Sequence, residues 1–280
     1  MTENPMVSVL MTSYNREKYI GFAIESVLAS DYDDFELIIT DDRSSDRTLE
    51  IAEGFAKRDS RLRVFQNEQN LGDYPNRNKA ASHAKGKYLK YVDADDYIYP
   101  GGLGTLVEMM ERFPDAGFGL CSLEQDEARP FPFQLSPAEA YAYHYKGPGL
   151  FHKAPLSSII RTGAFNKVGG FANARMVGDF EMWHRLALQF PVVLMPQGIV
   201  WYRKHGEQEM SSYQKYLSAY ESIRVKYLRD AACPMDKASA DAVLHKQKAA
   251  LWREIIAGIA RANSTRIKDG LARLKLHKHA

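Results

Sequence analysis

Residues 88–96 read YLKYVDADD, a run of strand-forming residues that ends abruptly in three aspartates within four positions. Tyr88, Leu89, Tyr91 and Val92 favour extended backbone, and nothing after Val92 lets the run continue. Side chains alternate faces along a strand, so the spacing predicts that Asp93 and Asp95 point the same way. Two carboxylates held close together repel unless a proton or a cation sits between them. Taken alone, the stretch also reads as a turn with an Asp-rich helix cap. The flanking chain decides between the two.

The first 120 residues alternate strand and helix patterns. VSVLM (7–11) is a short buried-strand pattern, and residues 16–30 place Tyr19, Ile20, Ala23, Ile24, Val27 and Leu28 on one helix face. FELIIT (35–40) is a second strand, with Ser44 or Ser45 and Asp46 available to cap a helix through Ala56. RLRVF (61–65) is a third strand, and Pro75 suits the first turn of a helix running to about Ala84. KYLKYV is the fourth strand, followed by a helix over 102–113. This order predicts an α/β fold with a mostly parallel central sheet and helices on both faces.

Ligands of such sheets bind beyond the carboxyl ends of the strands. Here those ends carry Thr12-Ser13-Tyr14-Asn15, Asp41-Asp42 and Asp93-Ala94-Asp95-Asp96. Turn chemistry explains each cluster singly but does not favour carboxylates at two ends and a tyrosine at a third. The sequence has no GxGxxG after the first strand, no GxxxxGK[ST], no HExxH and no CxxC. A nicotinamide-dependent dehydrogenase and a P-loop enzyme are thereby disfavoured. A nucleotide held without a glycine-rich loop needs its charge met by a divalent cation on carboxylates and by basic side chains.

Composition is that of an ordinary globular chain: 280 residues, 45% hydrophobic, 26% charged, net charge +2. Near-neutral charge gives no electrostatic reason to expect nucleic acid. Cys121 and Cys233 form no disulfide framework, in keeping with a reducing cytoplasm. The start MTENPMVSV lacks signal-peptide character, and no run of about 18 apolar residues offers a membrane span.

VSVLMTSYNREKYIGFAIESVL, LIITDDRSSDRT, NLGDYPNRNKAA and YVDADD, in that order and spacing, resemble the family 2 glycosyltransferases. The resemblance covers residues 6 to about 205. It implies a GT-A fold and an inverting enzyme that uses a nucleotide-diphosphate-sugar with Mg²⁺ or Mn²⁺. It further implies that Thr12 and Tyr14 lie against base and ribose, that Asp41 accepts a hydrogen bond from the base, and that Arg77 reaches base or diphosphate. Asp93 would contact ribose or metal, and Asp95 of this DXD motif would bind the metal between the two phosphates. Asp46 fits helix capping better than donor binding.

In the second half, SPAEAYAYHYK opens like a capping box, and its aromatics read as core rather than as a sugar-facing surface. Gly169 and Gly170 permit a tight turn. MVGDFEMWHRLAL has a buried helix face with Asp179 at its start. Family relatives commonly open this helix with a Glu-Asp pair whose Asp is the general base. Here the pair is Gly178-Asp179, so Asp179 is the implied base, with helix capping as its plainer role. Glu181 lies about 200° round the helix and suits a pair with Arg185. In GIVWYRKHGEQEMS, His205 resembles the family histidine that meets metal or diphosphate, with Arg203 and Lys204 adding positive charge. No QxxRW motif is found, which favours a single transfer per encounter over processive synthesis.

The expected organisation is a catalytic domain over 1–210, with a donor half at 1–124 and an acceptor half at 125–210, plus a helical region at 211–280. In the latter, Leu251, Trp252, Ile255, Ile256 and Ile259 line a helix face, and RIKDGLARLKLHKHA is basic. The plain reading is a packing appendage; the sharper ones are a homodimer contact or a dock onto anionic lipid. The expected activity is transfer from a UDP-sugar to a hydroxyl of a surface glycan or lipid-linked saccharide. Its setting would be the cytoplasm, free or peripheral at the inner membrane face. A non-catalytic nucleotide- or sugar-binding protein and a nucleotidyltransferase are the alternatives.

Overall fold

The computed structural model describes residues 4–205 and 209–278. The chain begins with β1 (Val7–Ser13), α1 (Ile20–Leu28), β2 (Phe35–Asp41), α2 (Thr48–Ala56), β3 (Leu62–Gln66), α3 (Asp73–Ser82) and β4 (Tyr88–Tyr91). Next come β5 (Tyr97–Ile98), α4 (Gly102–Glu111), β6 (Phe118–Leu123), β7 (Phe133–Leu135), α5 (Pro137–Lys146), β8 (Ser158–Arg161) and α6 (Thr162–Val168). It closes with α7 (Gly178–Ala187), β9 (Val192–Pro196), β10 (Val200–Trp201), α8 (Leu217–Arg229), α9 (Lys237–Ala260) and α10 (Ser264–Leu276).

The main sheet has the order β3-β2-β1-β4-β8-β6-β9-β7. β3, β2, β1 and β4 run parallel, as do β6 and β9, while β8 lies antiparallel between β4 and β6 and β7 is antiparallel to β9. This is the mostly parallel sheet that the strand–helix alternation implies. Strand alternation also divides the core. Leu10 of β1 packs into one buried cluster, while Val7, Val9 and Met11 pack into the other. α3, α5, α6 and α7 cover the first face; α1, α2 and α4 cover the second.

The parallel register sets the site. Ser13 pairs with Asp41, and Asp41 with Gln66, so the carboxyl ends of β1, β2 and β3 finish level. β4 stops at Tyr91, and residues 93–96 form a turn closed by Asp96 N donating to Asp93 O at 3.0 Å. The expectation that Asp93 and Asp95 share one strand face is therefore wrong: they lie beyond the strand, where alternation no longer applies. β5 then pairs antiparallel with β10, returning residues 203–205 to this turn.

One local expectation differs in detail. α2 has Arg47 at its N-cap with no side-chain cap bond; Asp46 instead accepts from Thr48 N, and Ser44 turns to Asp41. The capping box of α5 is present, with Ser136 and Glu139 each bonding the other's backbone N–H. Its Tyr141 is fully buried, as core. The C-terminal helices dock on α8, as a packing appendage would. His277 Nε2 sits 2.6 Å from Glu221 Oε1 on α8, and Arg229 donates to the His277 carbonyl at 2.8 Å.

Candidate active site

The acidic turn is gripped from three directions. Asp93 takes a two-pronged bond from Arg77 on α3, Nη1 to Oδ1 at 2.6 Å and Nη2 to Oδ2 at 3.0 Å. Arg77 Nε donates to Asp73 at 2.8 Å. Burial works against the Arg77 charge, but Asp73 and Asp93 outweigh it and push its pKa up further. Asp95 Oδ2 lies 3.0 Å from both Arg16 Nε and His205 Nε2. Arg203 donates through its backbone N to Asp96 at 3.0 Å and through Nε to the Asp95 carbonyl at 2.8 Å. Its guanidinium lies over the rings of Tyr19, Phe22 and Trp201. Burial, with Asp93 and Asp95 nearby, raises the Asp96 carboxyl to about 8.

At the neighbouring strand ends, Asp41 is buried and accepts from Ser13 Oγ, from Ser44 N and Oγ, and from Gln66 Nε2. Asp42 accepts from Leu71 N and Gly72 N at 2.8 Å and from Asn67 Nδ2, fixing the loop that launches α3. Thr12, next to last in β1, is half-buried, and Tyr14, just past the strand, is exposed.

α3 also reaches the second half of the chain. Asn78 pairs both ways with the Phe171 backbone, Nδ2 to O at 2.8 Å and N to Oδ1 at 2.9 Å. A Cβ at Gly170, whose φ is +72°, would fall 2.6 Å from Asn78 Oδ1, so the close approach and the backbone both call for glycine. The Tyr74 side chain stands beside the Asp179 carboxyl and favours its ionised form. Asp179 lies in the first turn of α7, whose N-cap position is Val177, and its Oδ1 accepts from Phe180 N at 2.6 Å. Burial raises the Asp179 carboxyl to about 6, against the opposing pull of Phe180 N–H, Tyr74 and Arg77. A Cβ at Gly178 would fall 2.7 Å from the Tyr74 ring. The space a side chain at 178 needs is filled by tyrosine. Glu181 turns away from this spot to Arg185 at 2.8 Å and to the Tyr227 hydroxyl, as its helical position implies.

All nine residues singled out from the sequence are thus placed, and Arg77, Asp93, Asp95, Arg203 and His205 meet around one turn. Asp179 stands near the same face of α3, close to Tyr74 and to the Arg77 that grips Asp93. Sequence reading missed Arg16, Asp42 and Tyr74. Arg16 follows the strand-one cluster directly and was the legible one. The partners of Asp42 and Tyr74 lie far along the chain and leave no local pattern.

Residues 8–169 match the sequence profile of glycosyl transferase family 2. The chain belongs to this family. EpsE of Bacillus subtilis (strain 168), named as a glycosyltransferase, is 31% identical over 196 residues, covering 66% of this chain and 68% of that protein. Among solved structures, S. aureus TarS 1–349 in complex with UDP-GlcNAc aligns with a TM-score of 0.66 at 23% identity, over 85% of this chain and 70% of TarS. Mannosyltransferase PcManGT from Pyrobaculum calidifontis, in complex with GDP-Man and Mn2+, aligns with a TM-score of 0.66 at 17% identity, over 99% of this chain and 87% of that one. At such identities these two speak for the GT-A fold alone. Family 2 membership makes the chain a glycosyltransferase and sets aside a nucleotidyltransferase.

The turn offers two side chains that would ligate a divalent cation, with Arg16 Nε also 3.0 Å from the same Asp95 oxygen. Asp95 and His205 offer an oxygen and a nitrogen to one point, both largely shielded from solvent. Among the described residues no group of three or more ligating side chains occurs. Two protein ligands leave the remaining positions to phosphate oxygens and water, the usual habit of Mg²⁺ and Mn²⁺ at nucleotide sites.

Proposed function

We propose that this family 2 enzyme transfers a sugar, with inversion, from a UDP-sugar to a hydroxyl of a surface glycan or lipid-linked saccharide, assisted by Mg²⁺ or Mn²⁺. The observation that carries the reading is the meeting of Asp95 and His205 at the strand ends, with the half-buried Asp179 near Arg77 of the same cluster. The nucleotide-sugar complexes of TarS and PcManGT support such a donor, and the Mn2+ of the latter supports the metal.

In this reading residues 1–124 handle the donor, 125–210 the acceptor, and 211–280 form a helical support. Thr12 and Tyr14 line base and ribose, the tyrosine offering an apolar face with a polar tip. Asp41 orients the base, and Asp93 the ribose. Arg77 and Arg203 hold positive charge beside the diphosphate. Asp95 and His205 hold the cation, which supplies stabilisation of charge on the departing group. Asp179 takes the proton from the acceptor hydroxyl as its oxygen bonds to C1, and the C1–O bond to the diphosphate breaks on the opposite face. Uncharged at low pH and ionised above about 6, the Asp179 carboxyl is suited to proton transfer near neutrality.

UDP should bind more tightly with Mn²⁺ than with EDTA by about tenfold or more, a difference of about 1.4 kcal/mol. Calorimetry in the two buffers measures it. Asp95→Asn should bring the Mn²⁺ affinity down to the EDTA value with the fold intact. Equal affinities for the unmodified protein would remove the metal from the reading.

A further inference from the structure

α9 and α10 form an antiparallel hairpin. A Cβ at Gly258 would meet Ile267, one at Gly270 would meet Ile255, and Leu251, Ile255 and Leu274 share a small buried cluster. The sequence pattern puts five apolar residues of α9 on one face. The structure splits them: Leu251 and Ile255 are buried in the hairpin seam, but Trp252, Ile256 and Ile259 are 47%, 62% and 62% exposed. Spaced at i, i+4 and i+7, those three form a stripe about 100° round from the seam.

Leu271, one residue past the seam glycine Gly270, is 42% exposed. In an antiparallel pair of right-handed helices, residues turned in the same sense from the mutual contact emerge on the same side. Leu271 therefore joins the stripe of α9. Lys268, Lys275 and Lys278, all exposed, stand three, four and seven residues from Leu271 and share its side. The ion pair of Arg273 with Glu254 and the buried pair of His277 with Glu221 lie on the other side, where α8 docks. The apolar stripe thus faces away from α8.

Charge follows the same division. Residues 237–280 hold ten Lys and Arg against three Asp and Glu, a net charge of +7. The other 236 residues carry −5. A second copy of this chain would bring Lys268, Lys275 and Lys278 of one hairpin against those of another across a shared face, which electrostatic complementarity disfavours. An apolar stripe with tryptophan at one end and lysines along its flank has the chemistry of a helix lying at an anionic lipid interface. Among the described residues no helix is long and apolar enough to cross a membrane.

We propose that the α9–α10 hairpin docks this enzyme flat onto a bilayer bearing anionic headgroups. Trp252, Ile256, Ile259 and Leu271 enter the interface, and Lys268, Lys275 and Lys278 pair with the headgroups. The inference concerns the hairpin alone and does not depend on the donor or acceptor assigned to the active site.

Flotation of the full chain with vesicles tests it directly. The protein should float with vesicles of equal parts phosphatidylglycerol and phosphatidylcholine, far less with phosphatidylcholine alone, and detach as salt is raised. Trp252 emission should shift to the blue and be quenched by a brominated lipid, with Trp252→Phe removing that component from the signal of Trp183 and Trp201. Ile256→Ser with Ile259→Ser should weaken vesicle binding by about tenfold or more, leaving melting temperature and donor hydrolysis unchanged, since both side chains already face water. Failure to float with anionic vesicles, or floating unaffected by the two serines, overturns the proposal. So does a concentration-dependent dimer that the same serines dissolve, which would give the stripe to a second copy.

Discussion

Asp179→Asn is expected to lower turnover by about 10² to 10⁴ while leaving donor affinity unchanged, because a general base acts on the acceptor in the transition state and touches the nucleotide little. The structure isolates this effect well. Asn retains an oxygen to accept from Phe180 N, and Val177 rather than residue 179 holds the N-cap position. Folding stability should therefore change little. In the unmodified enzyme the rate should rise with pH through about 6, where the half-buried Asp179 carboxyl loses its proton. Tyr74 favours the ionised carboxylate, so Tyr74→Phe should move that limb to higher pH. Turnover, calorimetric UDP affinity and melting temperature, taken together for Asn and Ala at 179, decide the matter. An Asn variant within about threefold of full turnover would make Asp179 a structural residue and send the search for the base elsewhere.

Gly178→Glu, which restores the residue common in relatives, should harm this protein. Two terms favour Glu: better helix propensity, worth about 0.5 kcal/mol, and an acidic group in the first helical turn, worth about 0.3–1 kcal/mol. Against them stands a Cβ placed 2.7 Å from the ring of Tyr74, itself almost wholly buried. Overpacking of this kind costs about 1–3 kcal/mol, and the contact is with a rigid ring, so the upper end applies and a net loss of about 2 kcal/mol is expected. Turnover should fall as well, because the displaced ring belongs to the residue that favours the ionised Asp179 carboxyl. Denaturant unfolding of Gly178→Glu, Tyr74→Ala and the double variant gives the cycle. The double should be less damaged than the sum, with a coupling of about 1–3 kcal/mol, as Glu enters the space the ring leaves. A neutral Gly178→Glu would mean that Tyr74 moves aside freely.

The parallel half of the sheet was legible because β1, β2 and β4 are buried on both faces and their apolar runs end in polar clusters. β7 and β8 were not. Each has three or four residues and depends on partners supplied by distant strands, so no local pattern marks it. The site divided in the same way. Strand-end positions of Asp41, Asp93 and Asp95 follow from parallel alignment, and the Glu181–Arg185 pair follows from helical spacing. What Asp93 and Asp95 face does not, since the turn at 93–96 sends one to Arg77 and the other to Arg16 and His205. Gly178 looked like a lost catalytic partner in one dimension. Tyr74, more than 100 residues earlier, supplies the reason in three.

α3 bears on how such an enzyme can diversify. Within five consecutive residues it supplies Tyr74 to Asp179, Arg77 to Asp93 and Asn78 to Phe171. A hybrid joined near residue 124 would inherit this helix with its donor segment and receive a foreign 171 loop and α7 with its acceptor segment. Recombination at that point would keep Arg77 on Asp93 but break the contacts of Tyr74 and Asn78 with the second half at once. New acceptor preferences in this lineage are then expected to arise by substitutions that travel with α3, and exchange of whole segments to succeed only between close relatives that share Tyr74, Asn78 and Gly178.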